Sequence, residues 1–137
     1  MTFEQAHDEI LGMFKTAWDT TGYKASYTNV TPDFPDDPEP WARPKVKHHA
    51  GGSGSLTGAS GSRRYERPGL LIVQIFVPKG EGLSEAYSLG KVIADAYEGQ
   101  SSASGAWFRN IRPDEVGEDG DFEQLNMLID FTYDEVK

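Results

Sequence analysis

Residues 69–78, GLLIVQIFVP, are the most apolar run in the chain. Their length and β-branched content, closed by Pro78, predict a strand at the centre of a sheet, buried on both faces. Such a strand needs covering elements, and the flanking periodicities supply them. Phe3, Ala6, Ile10, Met13, Phe14, Ala17 and Trp18 recur at spacings of three and four, which predicts a helix over about 3 to 20. Thr2 and Gln5 form a capping box at its start and Gly22 supplies a left-handed stop. A second helix is expected to open on Ser84 as its cap, to bury Ala86, Leu89, Ile93, Ala96 and Tyr97, and to end at Gly99.

The remaining segments read as strands and loops. Tyr23 to Val30 predicts a short strand, and the following TPDFPDDPEP is a loop of prolines and mutually repelling acids. Trp41 to His48 reads as an edge strand, because Pro44 cannot donate to a ladder. Gly and Ser fill 9 of the 13 positions from 50 to 62, so residues 49–64 are expected to form a flexible hairpin loop. Trp107 to Val116 and Phe122 to Tyr133 read as strands around the turn GEDGD. In the last of them Leu125, Met127, Ile129, Phe131 and Tyr133 face a helix, while Gln124, Asn126, Asp130 and Thr132 face away. The expected class is α+β, a mixed, largely antiparallel sheet of about five strands with two helices packed on it, in the order α-β-β-β-α-β-β. At 137 residues, a single domain over 1–137 is expected.

Charge is segregated along the chain. Residues 1–42 carry net −6, 43–67 net +5, 68–113 are balanced, and 114–137 carry net −8, within a total of −9. General attraction to nucleic acid or an anionic membrane is disfavoured by that total. Solvated faces account for such blocks, and so does a head-to-tail contact between copies. No apolar run approaches the roughly 20 residues of a membrane helix. The start MTFEQAHDEI lacks the basic flank and apolar stretch of a signal peptide, so a soluble chain that stays where it is made is expected.

Catalytic constellations are poorly represented. With no cysteine, thiolate metal sites, disulfides and cysteine nucleophiles are excluded. His48 and His49 would point to opposite faces of a strand, and His7 lies on the polar side of the first helix, so no metal site is expected. Aligning DEVGEDGDFE to a calcium loop through Gly120 puts Gly117 third and Asn126 twelfth, without the required ligand oxygens. Gly80 and Gly82 stand between a strand and a helix, but Glu85 replaces the third glycine of a dinucleotide fingerprint and no GK[ST] follows. No G-x-S-x-G elbow is present. Lys45, Lys47, Arg63, Arg64 and Arg67 could touch phosphates, yet few aromatics stand beside them in the sequence to stack bases.

The chain resembles the phage tail-terminator-like family over nearly its whole length. The resemblance is carried by Phe3, Ala6, Ile10, Phe14 and Trp18 in the first helix, by WAR at Trp41 to Arg43, and by the Gly-rich stretch ending in RRYERPG before VQIF. It continues through VPKGEGLS, WFRN, EVGEDGDF, the Gln124/Asn126 strand and the terminal FTYDEVK. Pro44 and Lys45 depart from the pattern, standing where a β-branched residue would keep the strand regular.

The resemblance implies a non-enzymatic virion protein of the tail, without cofactor or metal, assembled in the host cytoplasm. Copies would form a ring, usually hexameric, on the end of the tail tube, stopping polymerisation and presenting a head-joining surface. Its expected partners are other copies, the tail-tube protein and the head–tail connector protein, with DNA only as passing cargo and no membrane. The candidate interface residues are Arg43, Lys45, Lys47, Arg63, Arg64 and Arg67, with Asp36, Asp37, Glu118 and Asp119 as acidic counterparts. The alternatives are a connector or completion adaptor of the same structural module, and a small enzyme using carboxylates.

Overall fold

Helix α1 (Phe3–Asp19) begins where its free backbone donors find partners: Gln5 N–H donates to Thr2 Oγ1 at 3.2 Å, and Thr2 N–H donates to Gln5 Oε1 at 2.9 Å. The computed structural model describes residues 1–28, 38–53, 61, 63–80 and 82–137. Ala6, Ile10, Phe14 and Trp18, each four apart, are the buried stripe of α1. The expected stripe is corrected at one end. Phe3 in the first turn is exposed, its ring edge-on to His48 and beneath the Arg67 guanidinium.

Strand β1 (Lys24–Ala25) is far shorter than the expected Tyr23 to Val30, whose last two residues lie outside the described ones. It pairs in parallel with β2 (Trp41–His48), and Ser26 N–H donates to Ala42 O at 2.8 Å. The next rung of a parallel ladder would be the N–H of residue 44 to Ser26 O, and Pro44 has none. The same geometry explains why Pro44 does not disturb β2. Ala42 O points away from the inner neighbour, so Pro44, two residues on, also turns its nitrogen to the open side. The register with β4 (Arg64–Pro78) accordingly runs unbroken from Trp41 opposite Phe76 to His48 opposite Gly69.

β4 starts five residues before the apolar run and is the central strand. The expected burial on both faces is corrected: Leu71, Val73, Ile75 and Val77 lie under the helices, whereas Leu70, Ile72 and Gln74 are half-exposed on the other side. The run is apolar throughout, but both helices pack on one face. Helix α2 (Ser84–Tyr97) takes Leu83 as its cap, without a side-chain bond, so Ser84 is the first helical residue rather than the cap. The positive φ angles of Gly80 and Gly82 bring the chain into helical geometry one residue early. Ala86, Leu89, Gly90, Ile93 and Tyr97 are buried and Ala96 turns half out. Tyr97 Oη donates to Ile10 O at 2.8 Å, joining the helices.

β5 (Trp107–Asp119) and β6 (Phe122–Val136) form a long hairpin. The expected five-residue turn is tighter, only Gly120 and Asp121, because the ladder shifts register between Glu115 and Gly117 and carries β5 onward. The alternation of β6 holds, with Leu125, Met127, Ile129, Phe131 and Tyr133 in the core. β3 (Gly52–Ser53) pairs beside the start of β4, and His49 N–H donates to Pro68 O at 3.0 Å, so both ends of the stretch read as a loop over 49–64 are held in ladders. Residues 54–60 and 62 of that stretch lie outside the described ones.

The sheet order is β1-β2-β4-β6-β5, antiparallel except for β1, with β3 off this path. This is an α+β fold with both helices on one face of a mixed sheet. No described helix is long and apolar enough to cross a membrane.

Candidate functional site

Strand alternation sends every second side chain of β2, β4, β6 and β5 away from the helices, and the register assembles them into transverse rows. In the first row Trp41 stacks on Phe76, centroids 4.1 Å apart and planes 13° from parallel, with Phe122 edge-on to Trp41 at 6.2 Å. These aromatics are separate from the main core cluster. Arg43 caps them, its guanidinium 5.5 Å from the Phe76 centroid while its Nε donates to Gln74 Oε1 at 2.6 Å.

The row of Arg43 continues through Gln74 and Asn126 to Asp114, and the two rows beyond it run Lys45, Ile72, Leu128, Arg112 and then Lys47, Leu70, Asp130, Arg109. Each of these two therefore has a cation at either end; Ile72 and Leu128 fill the middle of the first, and Leu70 and Asp130 the middle of the second, where Asn110 Nδ2 donates to Asp130 Oδ2 at 3.0 Å. Arg109 Nη1 donates to Thr132 Oγ1 at 2.6 Å, and Arg112 Nη1 donates to Asn110 O at 2.6 Å and lies 3.7 Å from Asp130 Oδ2. Among the described residues neither Lys45 nor Lys47 has an ion-pair partner. Exposed Trp107, opposite Thr132, completes the far corner.

The other sequence-derived candidates lie elsewhere. Arg67 turns to the helix side, where Nη2 donates to Glu135 Oε1 at 3.0 Å and the guanidinium sits 4.9 Å above Phe3. Arg64 Nε is 3.5 Å from Asp134 Oδ2. Arg63 exchanges two backbone bonds with Lys137, at 2.8 and 3.3 Å. These arginines gather where β4 begins, and the nearest carboxylates of Arg64 and Arg67 come from β6 of the same chain. Lys79 pairs with Glu118 at 3.1 Å, and Asp119 is exposed at the hairpin end. Asp36 and Asp37 lie outside the described residues. Arg109 and Arg112 were missed as members of the basic face, because only the β5–β6 register brings them onto it.

The hairpin end has the opposite sign. From 114 to 123 the chain carries Asp114, Glu115, Glu118, Asp119, Asp121 and Glu123, and no Lys or Arg. Lys47 stands opposite Leu70 and the turn stands opposite Pro78, so about 26 Å of β4 separates this lysine from the acidic end.

On the helix side, His48 Nε2 and Tyr133 Oη are hydrogen-bonded at 2.7 Å. Burial, then the charges of His7, Arg67 and His49, pushes His48 below the usual histidine range, and burial pushes Tyr133 up to about 12. The pair is therefore neutral near pH 7. Among the described residues no three His, Asp or Glu side chains converge as a metal site.

No family model and no curated protein matches the chain. Among solved structures, one whose name states no activity is similar over 92% of this chain and 94% of its own, at 17% identity and a TM-score of 0.64. At that identity the likeness is one of fold.

Proposed function

We propose that this chain is a structural subunit of a phage tail, a terminator whose copies close into a ring on the end of the tail tube. The ring stops tube polymerisation and offers the surface that the head–tail connector meets, with DNA passing through as cargo. Its place is the virion tail, assembled in the host cytoplasm, and its role is mechanical rather than catalytic, with neither cofactor nor metal. The resemblance in sequence motifs supports this reading, and one observation carries it: a single subunit presents a cation-framed sheet face and, about 26 Å away along β4, an acidic hairpin end. Opposite poles on one globule favour heterologous contacts, which close into rings where the rotation permits.

The test is the mass of the protein in solution, alone and mixed with the tail-tube protein of the same phage, together with tube lengths by negative-stain imaging. A ring of about six copies and tubes of limited length are expected from the resemblance and from closure of a heterologous contact. A strict monomer in both conditions, with no effect on tube length, overturns the reading.

A further inference from the structure

We propose that the end of the β5–β6 hairpin of one copy seats on the helix-free sheet face of the next, Val116 against Leu70, Ile72 and Leu128, and Glu118 and Asp119 against Lys45 and Lys47. The inference rests on the ring reading for its partner, a second copy of this chain. The hairpin end and the face are complementary in charge. The receiving face sets Leu70, Ile72 and Leu128 between cations, its Asp130 carboxylate is already engaged by Asn110 and Arg112, and its two β2 lysines lack ion-pair partners among the described residues. The hairpin has the converse make-up, acids around exposed Val116; Asp119 is exposed, and Glu118 lies 3.1 Å from Lys79 in an exposed pair that a neighbouring lysine can share. Val116 is 52% exposed, at the point where the bulge before Gly117 interrupts the ladder.

The contact cannot form within one subunit. Hairpin and face belong to one continuous sheet, so the hairpin end cannot fold over onto that face. Nor is the contact a continuation of the ladder along the open edge of β2. Pro44 turns its nitrogen to that edge and supplies no donor there, and the charged Arg43 before it and Lys45 and Lys47 after it blunt the strand further. What remains is a side-chain contact against the face. Because hairpin and face are different patches, the contact is heterologous and each copy both gives and receives.

The experiment uses the full chain and two double variants, Lys45→Glu with Lys47→Glu, and Glu118→Lys with Asp119→Lys, each checked for folding by circular dichroism and thermal melting. Mass is measured by light scattering alone and with tube protein. Under the condition in which the unmodified protein forms its ring, each double variant alone is expected to self-associate more than about tenfold more weakly. An equimolar mixture restores assembly, since the reversed face of one variant then meets the reversed hairpin of the other; one chain carrying all four changes does the same. If both double variants assemble like the unmodified chain, the proposed contact is overturned and the ring stands. If neither the mixture nor the fourfold chain regains assembly, or if the lysine changes abolish only tube binding, the face serves another partner and the contact is overturned. An unmodified chain that never self-associates removes both the contact and the ring.

Discussion

His48 of β2 and Tyr133 of β6 are hydrogen-bonded, Nε2 to Oη at 2.7 Å, although β4 runs between their strands. Gly69, opposite both His48 and Phe131, leaves open the space in which the rings of His48, Phe131 and Tyr133 meet. A Cβ at this position would overlap the Phe131 ring and lie 2.6 Å from the Lys47 carbonyl oxygen. Gly69→Ala is therefore expected to destabilise the fold by about 1–3 kcal/mol, through overpacking against backbone that cannot swing aside. The shift of the urea midpoint at constant slope measures it.

Gly90 on α2 gives the contrasting case. A Cβ there would meet Met127 Sδ at 2.9 Å, but that atom belongs to a flexible side chain and no backbone stands close. The gain in helix propensity, roughly 0.5–1 kcal/mol, opposes the crowding. Gly90→Ala is expected to leave stability within about 1 kcal/mol of the unmodified chain, as read from the same denaturation curves. A loss as large as that of Gly69→Ala would show that Met127 cannot yield.

The lowered titration of His48 has a pH signature. In the unfolded chain the imidazole takes up its proton near pH 6.5, and in the folded chain it does so below that value. Between these points the unfolded state binds more protons, so stability rises with pH. The contribution is complete above about pH 6.5 and is lost as the pH falls through the lowered folded value. His48→Gln, which retains a group able to bond Tyr133, is expected to flatten the slope of urea midpoint against pH between 7.5 and 5. An unaltered slope would assign the dependence to other groups.

Arg67 and Lys15 test which ion pairs matter for stability. Arg67 and Glu135 are 19% and 14% exposed at 3.0 Å, and removing the arginine strands a carboxylate and uncovers Phe3 and Tyr65. Arg67→Ala is expected to cost about 1–3 kcal/mol. Lys15 and Asp19, at 2.9 Å, are 65% and 64% exposed, so Lys15→Ala is expected to leave the melting temperature unchanged within the error of the measurement. Melting temperatures at low and high salt compare the two.

Local chemistry by itself determined much of this protein. The capping box at Thr2, the four-residue spacing of Ala6, Ile10, Phe14 and Trp18, the bounds of β2 and the alternation of β6 each depend on neighbours in the chain, so they were legible before any fold. Charge segregation was legible for the same reason. Tertiary structure alone decided that β1 stops where Pro44 withholds a donor, that β4 is covered on one face, and that Arg67 turns inward to Glu135. It also decided that Arg109 and Arg112 share a face with Lys45 and Lys47. The physical reason is that periodicity reports which side of an element is apolar. Which strand lies beside it, and which face the helices cover, is set by contacts between residues as distant as His48 and Tyr133.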